Sequence, residues 1–542
     1  MTARDRKIHS DVVNLQDVLN EHADDVTEIE VQGEFYKAED IQLLNRNLTV
    51  INQVNGGHLF VDTNEVPSFS LENSSLTLVS FPIRASRKVT FATAKQGSIL
   101  NLTDCEYIIY HIVFPILVGT KSQLILNGTE LKESDISSSL IEGSADTVDP
   151  HLSLAVDNSH FGSLKIDAQK PLLAGPEVQN VTVFNCSFNE IHCEEDGPLP
   201  TEAIQGVASR AVIFNASHIG NVTGALSGGL VFGVQASSLT LVKVMWNEGT
   251  NAVRFSNNVA FSDSIEVKIV SSEFQNQTAS TFWPNGGFLY LPHNNVHIKM
   301  SHTSIIVSSA PNGDGGAIYT VGRSTILVHK CQIQRVSAGK SGGFIFAGKN
   351  VDTVTLNALT VSGSTAAENG GFLCVDKVKS FQTNDSLYSG CHASKQGGVM
   401  FFHNSDNSTI NFDEVTFDEN KADSDMGQDV LISYESASKY NVKKKNFLKC
   451  GSTTKGHKVT LLPKIRHEEW TNTNWLKAKS IITGVVVGVC VFIAVSIALT
   501  CVCCCCGVCV ACGCGKKKTD AYKHVESQPI SSSVTPQQYQ IQ

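Results

Sequence analysis

Five glycine pairs recur between Gly286 and Gly398, and no other feature constrains the fold of this chain as tightly. They read Gly286-Gly287-Phe-Leu-Tyr, Gly315-Gly316-Ala-Ile-Tyr, Gly342-Gly343-Phe-Ile-Phe, Gly370-Gly371-Phe-Leu-Cys and Gly397-Gly398-Val-Met-Phe, at successive spacings of 29, 27, 28 and 27 residues. Spacing that regular is a structural repeat. A unit of this length cannot bury its own apolar face, but it can bury that face against its neighbours. The residues after each pair are strand formers, and Gly, Ser and Asn around them supply turns. The first glycine of a pair suits a corner at positive φ, and the second suits close approach of two backbones. Phe274, Ile333, Leu359, Leu387 and Phe417 mark a second apolar place in each unit. The pattern predicts an all-β chain: a right-handed, single-stranded parallel β-helix of the pectin-lyase-like kind, with roughly sixteen coils at ~4.8 Å per coil.

The repeat continues beyond this stretch. Gly228-Gly229 stands two units before Gly286, with a glycine-free unit expected around Val253-Arg-Phe255. Met426-Gly-Gln-Asp-Val430 reads as a last coil whose second glycine is replaced. Upstream, short strand-like runs such as Ser75–Val79, Gln123–Leu126 and Leu152–Val156 carry the pattern without glycine pairs. Val12, Leu15, Val18 and Leu19 fall at helical spacing, so residues 1–25 are expected to hold an N-terminal capping helix. The β-helix is expected over 26–465, and a spacer over 466–480.

Ile481–Val502 is uncharged and almost wholly apolar. Its length, about 20 residues, is that of a membrane-spanning helix. Trp470 and Trp475 precede it, and Lys516–Lys518 follow. Eight cysteines crowd between Cys501 and Cys514. Cys501, Cys503, Cys504, Cys505, Cys506 and Cys509 are candidates for palmitoylation. Residues 503–542 are expected to form a Cys-rich juxtamembrane segment and a short, polar, disordered cytoplasmic tail, in which Tyr522 and Val525 fit a Tyr-x-x-apolar sorting motif.

Eleven Asn-x-Ser/Thr sequons, at Asn47, Asn73, Asn101, Asn127, Asn180, Asn185, Asn215, Asn221, Asn276, Asn384 and Asn407, all precede the apolar run. Their distribution suits an extracellular ectodomain of a plasma-membrane protein. No secretory signal peptide is visible after Met1. Before residue 480 the cysteines are Cys105, Cys186, Cys193, Cys331, Cys374, Cys391 and Cys450, without zinc spacing. They are disulfides, with Cys186 and Cys193 the nearest pair, or buried thiols of the stack.

A net charge of −10 argues against nucleic acid as partner. No GxSxG, P-loop or HExxH motif occurs. Asp314, Asp413, Glu414, Asp418 and Glu419 read as acids of solvated turns rather than a glycosidase pair. No catalytic residue, metal site or cofactor is expected. The rival is a membrane-anchored polysaccharide lyase or hydrolase on the same scaffold.

Gly315-Gly-Ala-Ile318 and Phe417-Asp-Glu-Asn420 resemble the GGAI and FxxN repeats of chlamydial polymorphic membrane proteins. The resemblance covers about residues 228–430, and the layout is similar to that of the Pmp-like surface proteins of trichomonads. It implies a β-helical ectodomain that adheres to host cells through a surface protein or glycan. It transfers no binding residue.

Overall fold

The computed structural model describes residues 8–470 with interruptions, the longest being 195–210 and 435–450; residues 471–542 lie outside it. Residues 1–474 form one compact unit and 475–542 a second, which is wholly outside the described residues.

The described unit is a parallel β-helix. Its coils contribute strands to three faces. The first face is one 16-stranded sheet running from Ile8–His9 to Thr409–Asp413. The second begins at Val12–Asn14 and reaches Gly451–Ser452. The third is a five-stranded sheet from Ile41–Leu44 to Ile141–Gly143, then a ten-stranded sheet from Val231–Gly233 to Glu468–Trp470. Every strand pair is parallel except the last, Val459–Pro463 with Glu468–Trp470.

The core follows from alternation. Side chains along a strand point to opposite faces, so every second residue turns inward. On the first face Leu76, Leu100, Leu124 and Leu154 stand in register and are buried. On the third, Ile318, Ile345, Leu373, Met400 and Val430 form the equivalent column. Each such side chain contributes about 1.5–3 kcal/mol on burial.

The glycine pairs act as their spacing implies. The first glycine lies at positive φ, as at Gly342 with +71°. The second sits against the next coil: a Cβ on Gly343 would come within 1.9 Å of the Gly371 carbonyl oxygen. Gly427 keeps the corner φ of +66°, and Val430 pairs with Met400, so 427–430 is the expected further coil with one glycine replaced. The glycine-free unit is also in place, since Val253–Phe255 pairs with Val231–Gly233 and with Leu289. Gly228 and Gly229 lie outside the described residues.

Three expectations are corrected. The fold class loses its C-terminal membrane helix: among the described residues no helix is long and apolar enough to cross a membrane, and 481–502 lies outside them. The capping helix expected within 1–25 gives way, over its described residues, to strands Ile8–His9 and Val12–Asn14 and one helical turn at 15–17. Ile8 pairs with Val31 and Val12 with Phe35, so backbone pairing to the next coil overrides the helical spacing of the apolar residues. The spacer expected over 466–480 instead contributes Glu468–Trp470, the antiparallel strand that ends the third face.

Candidate binding surface

The outward half of the first-face strands forms one regular surface across 16 strands. Register carries its side chains into straight columns along the coil axis. Lys268 stands directly beside Lys299, and Glu266 beside His297. Ser301 stands beside His329.

The corner between the first and second faces extends these columns. One residue after most first-face strands takes a left-handed conformation, among them Asn158, Asn185, Lys243, His302, Lys330 and Asp385, with φ from 48° to 52°. The next residue is buried, and where it is Ser, Thr or Cys it bonds back to the corner. Ser272 Oγ donates to the Val270 carbonyl at 2.9 Å and accepts from the Val244 N–H at 3.1 Å. Cys105 Sγ and Cys186 Sγ occupy this place and donate to the carbonyls of Leu78 and Val156. The choice left open for the cysteines is therefore settled for five of them. Cys105, Cys186, Cys331, Cys374 and Cys391 are buried free thiols, and Cys186 makes no disulfide with Cys193. Burial pushes the Cys105 and Cys391 thiols up to about 12 and those of Cys186 and Cys331 up to about 11.

Four sequon asparagines, Asn127, Asn185, Asn215 and Asn384, fall at these corners. Asn47, Asn73, Asn180, Asn185 and Asn276 are exposed, and Asn101, Asn127, Asn215 and Asn384 are half-buried. In three of them the hydroxyl residue is the buried corner donor: Thr129 after Asn127, Ser217 after Asn215 and Ser386 after Asn384. Asn158 also donates to Asn127 at 3.3 Å, and Asn185 to Asn158 at 2.8 Å, as rungs of an asparagine ladder. Asparagine here tolerates positive φ and bonds along the stack. The tripeptide is thus partly a by-product of the corner. The Asn221 side chain, Asn407, the tail cysteines Cys501, Cys503, Cys504, Cys505, Cys506 and Cys509, and Tyr522 and Val525 lie outside the described residues.

Asp314 departs from the expectation of a solvated turn. Its carboxylate accepts the Ser341 N–H at 2.9 Å, its own N–H donates to Asn285 at 2.7 Å, and burial raises its pKa. It is a rung of the turn ladder beside the glycine pairs. On the third face Tyr290, Tyr319 and Phe346 stand in register, stacked at centroid distances of 5.4 Å, with Tyr290 buried and the other two half-buried.

Charge is distributed unevenly. His297, Lys299, Lys268, His302, Lys330 and Arg323 are exposed on neighbouring coils, and His329 is half-buried among them. Glu266 is the carboxylate within this group. Lys299 bonds it at 2.8 Å and holds its carboxyl below the usual range, with His297 and Lys268 acting in the same direction. The spacing rules available in the sequence could not find this group, because its members lie about one coil apart in the chain.

The fold and this surface define a β-solenoid protein with a charged outer face. No family model matches the chain, and no curated protein does. Among solved structures, the A-module of the mannuronan C-5 epimerase AlgE6 of Azotobacter vinelandii aligns over 79% of this chain and 91% of that one, at 8% identity and a TM-score of 0.21. A likeness that weak carries no argument about function.

Proposed function

We propose that the chain is a binding rod, displayed at a cell surface, that adheres to host cells through an extended protein or glycan partner. The observation that carries this reading is the first face. Its 16 parallel strands hold the outward side chains in register along the stack, which provides a long, rigid surface for an extended ligand. The GGAI-like and FxxN-like motifs support it independently, through the resemblance to adhesive surface proteins.

The test is binding of the purified full-length chain to host cells, together with its action on acidic polysaccharides. Saturable binding without polysaccharide cleavage is the expected result. Cleavage of a polysaccharide with turnover, or no cell binding at all, would overturn the proposal.

A further inference from the structure

The cation-rich patch on the first face is arranged at a cost to the fold. Lys268 and Lys299 occupy directly opposed positions on adjacent strands. Like charges so placed repel and destabilise the pair. Glu266 bonds Lys299, but it is one carboxylate facing Lys299, His297 and Lys268 together. At the adjoining corner the His302 and His329 rings meet edge to face at 5.9 Å, and Lys330 follows directly in the chain. The chain as a whole carries ten more negative than positive charges, so the patch opposes the overall balance.

Resting on the reading of the chain as an adhesive rod, we infer that this patch is a binding site for a linear anionic polysaccharide, sulfated or carboxylated. Three observations select that chemistry. Three successive coils carry cations, Lys268 on the first, His297 and Lys299 on the second, and Arg323 and Lys330 on the third, while the Lys268–Lys299 column itself continues as Leu327. Neighbouring strands are spaced ~4.8 Å apart, so a chain of regularly spaced anions laid across these three coils meets a cation on each. Beside them, Ser301, Thr325, Thr355 and Asn357 also face outward and offer the hydroxyl and amide groups that sugar hydroxyls pair with. Finally, the outward positions of Ile265–Val270, Val296–Ser301, Ser324–His329 and Thr353–Asn357 hold no Phe, Tyr or Trp. Single-stranded nucleic acid is held largely by stacking on such rings, so this face suits a polymer without bases.

The test measures binding of the full-length chain to heparin, to N-desulfated heparin, to polygalacturonate and to single-stranded DNA of matched charge. Lys268→Gln combined with Lys299→Gln is compared with the wild type and with Lys395→Gln, whose lysine lies outside the patch and pairs with Glu368 at 3.0 Å. The expected result is retention on at least one polysaccharide, with affinity falling about tenfold in the double variant and unchanged in Lys395→Gln, and with a shallower salt dependence in the double variant, because each lost cation releases fewer counterions. Retention of heparin but not polygalacturonate identifies sulfate as the anion, and the reverse identifies carboxylate. A thermal melt of the double variant at or above that of the wild type confirms that the fold is kept. If melting falls, Lys268→Arg with Lys299→Arg serves instead, and recovered binding in that variant supports the site. Equal loss in Lys395→Gln, equal or tighter binding to DNA, or no binding to either polysaccharide overturns the inference. Host-cell binding that survives in the double variant overturns this site alone and leaves the adhesive reading standing.

Discussion

At the scale of single residues, the glycines of the stack answer different demands. Gly343 is fixed by space, since any Cβ there meets the next coil's backbone. Gly390 is fixed by φ, at +59°, with its nearest neighbour 3.9 Å from a built Cβ. Gly390→Ala is expected to cost about 1 kcal/mol, the ordinary penalty for a left-handed non-glycine residue. Gly343→Ala forces two coils apart and is expected to cost more than about 3 kcal/mol, among the severe single substitutions. Urea unfolding of the two variants measures the difference, and equal losses would refute the assignment. The asparagine of the FxxN motif has a similarly definite task. Asn420 accepts the Cys391 N–H at 2.8 Å and donates to the Tyr388 carbonyl at 3.0 Å, tying one coil to the one before. The corner thiols give another check. Cys105, Cys186, Cys331 and Cys391 are buried with raised pKa values, so little thiolate forms at pH 8. Peptide mass spectrometry after iodoacetamide treatment should find them unlabelled in the native chain and labelled in urea.

At the scale of strands and coils, periodicity made the stack legible, because one repeat of the sequence is one turn of the structure. The failures share a cause: short apolar runs do not state which way a side chain points. Spacing alone makes Leu387 the second apolar place of its unit, yet it is 37% exposed, and Tyr388 stands in the inner column between Val361 and Phe417. Leu359 is buried at the corner, two residues before Val361, which occupies the column. A one-residue slip exchanges the faces of a strand. Tyr388→Ala should therefore cost about 3–5 kcal/mol, as for other large core aromatics. Leu387→Ser should stay within about 0.5 kcal/mol, as for exposed sites. Chemical denaturation distinguishes them, and a larger loss at Leu387 would reverse the register. Near Val12 the helical spacing was real but local, and pairing with Phe35–Lys37 decided the conformation. The left-handed corners left little trace in the sequence, because Asn, Lys, His, Ser, Ala, Asp and Glu all occupy them.

At the scale of the whole described unit, the stack sorts charge along its length. Cations gather on the coils around Lys268, Lys299 and Lys330, while Asp376, Asp385, Glu414 and Glu419 lie on later ones. Lys268 and Lys299 are far apart in sequence and become neighbours only through register, so neither net charge nor a local motif reveals them as a pair. The decisive measurement is lysine footprinting: brief acetylation of the full-length chain, free and bound to host cells, read residue by residue by mass spectrometry. Protection of Lys268, Lys299 and Lys330, with Lys395 and Lys421 modified equally in both states, is the result expected if the first face is the binding surface. Unchanged modification of the first three, with protection confined to other lysines, would contradict it.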